Sequence, residues 1–478
     1  MRLILQYILM LSLIASLASC NDEEVFNLSS KAVLTFSSDT ISFDTVFSTI
    51  GTSTKNFQVY NRNNENLRLS SVRLASGGTS GFRINVDGQY GVSHSDVDIL
   101  RNDSIFIFVE VTVHPQEADS PILVEDSIIF TTASGLRQQV MLRAYGQDII
   151  VLKGMTIDSD TTLCSPRPYV IYDSLVVNEG ATLHIGAGST LCFHPEAGLT
   201  VRGTLDIQGT YEQPVTLRGD RTDKMFPYLP YDRLASQWQG VRFTPSSTGN
   251  TINCADIHSG TFGIRCDATA DSIRQLTLTN STIHNVAGYG LTAVNSNIYV
   301  ANCQISNSML DCISLLGGTY DFYHCTIAQF YPWKADRGNA VVCSNADGRQ
   351  AFPLHRMHFF NSIITGYATD EIFATRMQDT DSTRLADSEF NLLFDYCLVN
   401  TDTTGASQYF TNCLIDHKDS LINRAGNFKT IDTDIYLYDF SLDSLSRARS
   451  AASPSYTSLF PLNKNGQKRE EKSDMGCY

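Results

Sequence analysis

The sequence predicts an all-β chain in two parts, an antiparallel β-sandwich followed by a long parallel β-helix, and three observations carry that prediction. Residues 27–148 consist of runs with period-2 alternation of apolar and polar residues, separated by turn-rich pieces. From residue 149 to 478 the strands shorten to a few residues, each closed by Gly, Asn or a charged turn. Within that second part a short phrase returns: Asn, His or Tyr, then Cys or Ser, then any residue, then Ile, Leu or Val. Composition agrees, with 2 Trp against 21 Tyr, 25 Phe and 31 Gly. A length of 478 residues exceeds one ordinary compact domain, and 42% hydrophobic content is ample for a core. The formal net charge of −15, with no basic stripe, excludes nucleic acid and argues against anionic headgroups, both of which need clustered Lys and Arg.

The first segment, MRLILQYILMLSLIASLASC, has one cation, Arg2, and then an apolar run from Leu3 to Leu17. The run is short for a membrane-spanning helix and ends in small residues, as a signal peptide does. Leu17-Ala18-Ser19-Cys20 resembles a bacterial lipobox, in which the cysteine is lipidated and becomes the mature N-terminus. Residues 1–20 are therefore read as a lipoprotein signal peptide and Cys20 as the lipid attachment site. Each buried CH₂ of an acyl chain contributes about 0.8 kcal/mol, so several chains anchor a soluble body durably to the membrane. The NDEE that follows resembles the acidic tag that sends lipoproteins to the cell surface, which implies an outer-membrane, lipid-anchored, surface location.

The first part contains AVLTF, NFQVY, LRLSSVRL, FRINV, SIFIFVEVTV, SIIF and QQVMLRA, with NRNNEN and ASGGTSG between strands. This spacing indicates a sandwich. The stretch DTVFSTIGTSTKNFQVYNRNNENLRLSSV resembles the Ig-like modules related to the ASPM/SPD-2/Hydin group. That resemblance implies a spacer or binding module rather than an enzyme.

In the second part the phrase runs through Asn253-Cys254-Ala255-Asp256-Ile257 (with one extra residue), Asn280-Ser281-Thr282-Ile283, Asn302-Cys303-Gln304-Ile305 and His324-Cys325-Thr326-Ile327. It continues as Asn361-Ser362-Ile363-Ile364, Tyr396-Cys397-Leu398-Val399 and Asn412-Cys413-Leu414-Ile415. Ser281, Cys303 and Cys325 follow one another at 22 residues, one rung of a β-helix; longer gaps imply inserted loops. Residues two apart on a strand share a face, so Cys303 points inward with Ile305. Stacked rungs then set Cys and Ser in a column about 4.8 Å apart, with the preceding Asn at the turn. Disulfides suit an exported protein, but 12 cysteines less Cys20 leave an odd number, and Ser alternates with Cys. Metal binding would want CxxC pairs, which are missing. The cysteines are read as core packing.

PYVIYDSLVVNEGATLHIGAGSTLCFHPEAGLTVRGTL resembles the first coils of the right-handed, single-stranded parallel β-helix proteins of the pectin-lyase-like superfamily. PLNKNGQKREEKSDMGCY is similar to a closing phrase of secreted bacterial β-helices, matched at Gly466, Arg469, Asp474, Gly476 and Tyr478. The superfamily hosts lyases, hydrolases, esterases and plain adhesins, so the resemblance implies fold more than activity. Its best-known enzymes use Ca²⁺-binding carboxylates with a basic residue, or paired aspartates with a histidine. The sequence has no adjacent Asp-Asp, no GHG and no Arg-x-Pro-x-x-Arg. No catalytic residue, metal ligand or cofactor is assigned; Ca²⁺ enters only if the chain is a lyase.

Recognition is expected on inserted loops. In QFYPWKADRGNAV (329–341), Tyr331, Trp333, Lys334, Asp336 and Arg337 form a candidate carbohydrate-binding set, since aromatics stack on sugars and cations bind carboxylates; the alternative is an ordinary loop packed on the rung below. Residues 219–243 carry Arg221, Lys224, Tyr228, Tyr231 and Arg233 around Trp238 and either wall a groove or cover the helix side. Residues 365–390, with Asp370-Glu371, read as a lid or a solvated loop. His355 and His358 sit three apart on a strand and face opposite ways, which argues against shared metal ligation. Asp39-Thr40, Asp44-Thr45, Asp103-Ser104 and Asp126-Ser127 resemble an O-glycosylation sequon and equally suit turns entering strands. The expected function is a surface lipoprotein that binds polysaccharide or serves structurally without catalysis. The alternative is a polysaccharide lyase or glycoside hydrolase acting on uronate-containing glycan.

Overall fold

The computed structural model describes residues 26–270, 272–348, 350–376, 389–402, 406–416 and 425–478, so Cys20 and the expected signal segment, residues 1–20, lie outside the described residues. The chain divides into two compact units, Met1–Gln147 and Asp148–Tyr478.

The first unit is a two-sheet sandwich. One sheet orders Thr35–Phe36, Lys55–Tyr60, Ser104–Val111, Phe82–Val86 and Gln89–Gly91; the other orders Thr40–Phe47, Arg137–Gln147, Ile122–Thr132 and Leu67–Leu74, with Ser93–His94 and Val97–Ile99 beside the last. Pairing is antiparallel except between Thr40–Phe47 and Arg137–Gln147. The alternation places Phe57, Val59, Leu69, Val72, Ile107, Val109, Phe130 and Leu142 in the core. In the Asn-rich turn, the buried Asn61 amide donates to Glu65, Ile99 and Leu100 carbonyls at 2.8, 3.0 and 3.1 Å, which ties the turn to a neighbouring strand end. Asp126-Ser127 is buried inside a strand, where Asp126 accepts from Ser76 and Ser80 hydroxyls at 2.5 Å. That pair is neither a surface sequon nor a turn.

The second unit is a parallel β-helix with three strands in each full rung. One sheet stacks ten strands, from Thr161–Leu163 through Leu276–Thr279, Asn297–Ala301, Gly318–Tyr323, Leu354–Phe360 and Phe390–Asp395 to Phe410–Thr411. A second ladder includes Val215–Gly219, Ala255–His258, Thr282–Val286, Gln304–Ser308, Thr326–Gln329 and Ile363–Gly366; a third includes Val241–Phe243, Ile264–Cys266, Leu291–Val294, Ile313–Leu316 and Val341–Ser344. These two ladders join through Tyr169–Val177, whose first half pairs with one and second half with the other. Ile283, Ile305, Ile327 and Ile364 stack inward in register, the last pair spanning the rung that carries the insertions.

The turn into the second ladder is left-handed in every rung from Cys254 onward: Cys254, Asn280, Asn302, His324, Asn361, Tyr396 and Asn412 have φ of 49–54°. Asn suits that conformation, and Asn280 and Asn302 donate to the Asn one rung before at 2.8 and 3.2 Å. The next residue is the column. The sequence alignment placed Cys254 in that column, but Cys254 takes the turn and Ala255 takes the column, its amide donating to Ser281 Oγ at 3.0 Å. In Cys303 the thiol donates to Ala301 O at 3.1 Å and receives the Ser281 amide at 3.5 Å; Ser362 makes the matching bonds to Phe360 O and from the Cys325 amide. Every described cysteine is free, and Cys303, Cys325 and Cys397 are fully buried. Burial pushes the Cys303 thiol up to about 12. A hydroxyl can make both bonds and an isopropyl group neither. Cys303→Ser should therefore cost about 1 kcal/mol or less, and Cys303→Val about 1–3 kcal/mol through the orphaned Ser281 amide, read from urea midpoints.

The C-terminal segment covers the outer side of the second ladder with the hairpin Phe428–Asp432 and Leu437–Leu442, followed by residues 443–478. Its closing phrase is a clasp on the turns. Arg469 Nη2 donates to Asn302 Oδ1 at 2.9 Å and to Gly476 O at 3.1 Å, Asp474 accepts the Ser450 amide at 2.7 Å, and Tyr478 bonds Gln304. Gly476, at φ 87°, donates its amide to Asn361 O at 2.8 Å. Fully buried His324 lies beneath, Nδ1 facing Gly476 O at 3.3 Å and Nε2 receiving Asn361 Nδ2 at 3.0 Å. Burial, and then Arg469, holds its pKa well below the usual histidine range. The unfolded chain takes up this proton below about pH 6.5 and the folded chain does not, so stability is whole above that pH and falls below it by about 1.4 kcal/mol per unit. Urea midpoints at pH 6.5 and 5 should show the fall, and His324→Asn should flatten it.

Candidate functional site

The 329–341 loop leaves the strand Thr326–Gln329 and returns at Val341–Ser344. Tyr331 is buried. Arg337 turns inward: its Nη1 donates to Tyr331 O and Lys334 O at 3.0 and 2.9 Å, and its guanidinium lies 4.4 Å above the Tyr367 ring. Asp336 is exposed and Lys334 half-buried. Trp333 stacks on Tyr436 at 4.5 Å and 14° while remaining 45% exposed, so it packs on the C-terminal hairpin turn rather than on the rung below. Of the five candidate residues, Trp333, Lys334 and Asp336 thus offer surface, and Tyr331 and Arg337 shape the loop.

The same hairpin turn meets the 219–243 insertion, where Arg233 Nη1 donates to Ile435 O at 2.9 Å. Arg221 fixes this insertion from within, clamping Asp223 at 2.7 and 2.6 Å and lying 3.7 Å over the Tyr231 ring. Trp238 is buried against Phe193 at 4.3 Å and donates its indole N–H to His258 O at 2.8 Å. Phe226 and Tyr228, stacked at 5.7 Å and 13°, stay exposed.

Beneath the insertion, the outer face of the second ladder carries a histidine–carboxylate group. Ile257 points into the core, so Asp256 and His258 point out together, and His284 lies in register beside His258 one rung on. The two imidazoles stack at 4.8 Å. Asp256 Oδ1 lies 3.1 Å from both His258 Nδ1 and His284 Nε2. The insertion delivers Asp232, whose Oδ1 lies 2.8 Å from His258 Nε2 and 2.9 Å from Arg218 Nη2. Burial lowers the His258 pKa, but Asp256 and Asp232 outweigh it and push it up to about 9. Burial likewise opposes ionisation of Asp256, yet His258 and His284 hold it well below the usual carboxylate range. Asp232 is also lowered, burial being overcome by His258 and Arg218. At neutral pH the group is a chain of alternating charges: Arg218, Asp232, His258, Asp256.

Sequence reasoning passed over this group. Its signal was present in the repeat, as Asp256-Ile257-His258 above Thr282-Ile283-His284, two outward residues flanking each inward Ile. The histidines that were singled out have separate partners: His355 Nδ1 with Glu389 at 2.7 Å and His358 Nε2 with Asn391 at 2.9 Å. Asp370 and Glu371 are structural. Glu371 is fully buried and accepts the Ala340 and Ala368 amides at 2.8 and 2.7 Å, while Asp370 accepts from Thr401 at 2.6 Å. Residues 377–388 of that insertion lie outside the described residues. Among the described residues, no helix is long and apolar enough to cross a membrane.

No family model matches the chain. A 175-residue stretch, 34% of the chain, is 27% identical to Protein bark beetle of Drosophila melanogaster. Among solved structures, a mutant of the periplasmic alginate epimerase AlgG aligns over 58% of this chain and 74% of its own at 8% identity, with a TM-score of 0.27. The catalytic domain of a GH87 α-1,3-glucanase aligns over 75% and 86% at 11% identity, TM-score 0.21. The ASH/PapD-like domain of human CEP192 aligns over 27% of this chain and 93% of its own at 7% identity, TM-score 0.18. The chain spans 5% of the length of the curated relative it matches.

Proposed function

We propose that this chain is a surface lipoprotein, lipid-anchored through Cys20 in the outer membrane, whose sandwich serves as a spacer and whose β-helix binds extracellular polysaccharide without cleaving it. The supporting observation is the Trp333–Tyr436 stack, an indole held rigid by a second ring yet 45% exposed, with Lys334 beside it in sequence. A fixed aromatic face loses little entropy on stacking against a sugar ring, and a neighbouring ammonium suits a uronate carboxylate. Binding to an array of acidic and neutral glycans, followed by titration of the best ligand, is the test. Trp333→Ala should weaken binding about five- to tenfold, in line with a stacking contact of about 1–1.4 kcal/mol; unchanged affinity would remove the stack from the site.

A second reading, a glycan-cleaving enzyme, is favoured by one observation: His258 held between Asp232 at 2.8 Å and Asp256 at 3.1 Å, an imidazole between two carboxylates being a group able to give or take a proton. Incubating the protein with uronate polymers, with and without Ca²⁺, separates the readings. Growth of ultraviolet absorbance from unsaturated products, or of reducing ends, abolished by His258→Gln, would establish the enzyme.

A further inference from the structure

We propose that Asp256, His258 and His284 form a binding site for one divalent transition-metal cation of the zinc class. The inference does not rest on glycan binding. Three ligand atoms from these residues lie within 4.8 Å of one another, two of the separations being 3.1 Å. Ligands about 2.0–2.2 Å from a tetrahedral zinc ion stand about 3.2–3.6 Å apart, so small side-chain rotations complete the triangle. One carboxylate oxygen and two imidazole nitrogens suit Zn²⁺, Co²⁺, Ni²⁺ or Fe²⁺ and not Ca²⁺ or Mg²⁺, which take oxygen.

Three further features fit a metal site better than an ion pair on a surface. The backbone fixes the donors, since Asp256 and His258 share the outward face of one strand and His284 occupies the matching place on the next rung. His258 is only 5% exposed and bonds Asp232 through the nitrogen that faces away from the triangle. A carboxylate on the far nitrogen of a ligating histidine orients the ring and raises its basicity, and Arg218 in turn holds Asp232. Finally, Asp256 and His284 keep 39% and 25% of their side chains exposed, which leaves coordination positions open to an incoming ligand. Binding displaces the proton that His258 shares with Asp256, and that proton goes to solvent.

The test uses the purified full chain without a histidine tag, stripped with a chelator and titrated with Zn²⁺ by calorimetry. One ion per chain is expected. His284→Ala should weaken it at least a hundredfold, and Asp232→Asn, which keeps all three ligands, about ten- to hundredfold. Equal affinity in wild type and His284→Ala, as binding at exposed Cys164 would give, overturns the proposal. Crystals soaked in Zn²⁺ decide the matter without any variant. An anomalous peak between Asp256, His258 and His284 supports the site, and a peak elsewhere or none overturns it.

Discussion

Phe359→Ala should lower the unfolding free energy by about 3–5 kcal/mol. Phe359 is fully buried between Phe322, 4.4 Å away, and Phe394, 4.9 Å away, all three rings within 8° of parallel to their neighbours. Each ring comes from a successive rung of the ten-stranded sheet, so the hole left by alanine has rigid backbone on both sides and collapses poorly. In a stacked array each rung contacts only its neighbours, so the loss concentrates at the interfaces on either side of Phe359. Urea unfolding followed by fluorescence gives the total. Hydrogen exchange should place the loosening in the strands Gly318–Tyr323 and Phe390–Asp395. Phe359→Leu keeps most of the volume and should recover more than half of the loss; a Phe359→Ala cost below about 1 kcal/mol would contradict close packing in this column.

Asn361→Ala should cost about 3–5 kcal/mol and free the C-terminal segment, combining two effects. Asn361 holds a left-handed turn at φ 50°, which costs alanine about 1–2 kcal/mol. Its buried amide also receives the Ser453 amide at 2.7 Å and donates to Ser453 O at 3.0 Å, to Thr457 Oγ1 at 3.3 Å and to His324 Nε2 at 3.0 Å. Removing it strands these groups away from water. Asn361→Gly separates the effects, since glycine accepts the turn but makes none of the bonds; it should recover about 1 kcal/mol. Limited proteolysis should cut both variants within residues 443–478 before the rungs open. Equal protease resistance in wild type and variants would show that the segment is held elsewhere.

Much of the fold was legible because both repeats in this chain are one-dimensional. Period-2 alternation marks which residues face inward, and 22-residue spacing marks one rung, so the inward placing of Cys303, Cys325 and Cys397 follows from their distance to Ile305, Ile327 and Val399. The left-handed turn was legible where Asn recurs, at 280, 302, 361 and 412, because Asn takes that backbone more readily than most residues, but not at Cys254 or Tyr396, which take it too. The phrase at residues 253–257 shows the limit. It holds one residue too many, and only the hydrogen bond from Ala255 to Ser281 decides which residue turns and which joins the column.

The candidate sites were legible only in part. Tyr331, Trp333, Lys334, Asp336 and Arg337 look equivalent in sequence, yet Arg337 is spent on its own loop and Trp333 rests on Tyr436, about a hundred residues on. Asp232 reaches His258 because an insertion folds back across the ladder, and an insertion has no period from which its path could be read. By itself, then, the sequence determined the alternation, the rung length, the turn chemistry and the burial of the column thiols Cys303, Cys325 and Cys397, all of which depend on neighbours at regular spacing, whereas Cys164, read with them as core packing, is exposed. Tertiary structure alone decided which side chains of different loops meet, because those contacts depend on how irregular segments cross the regular surface.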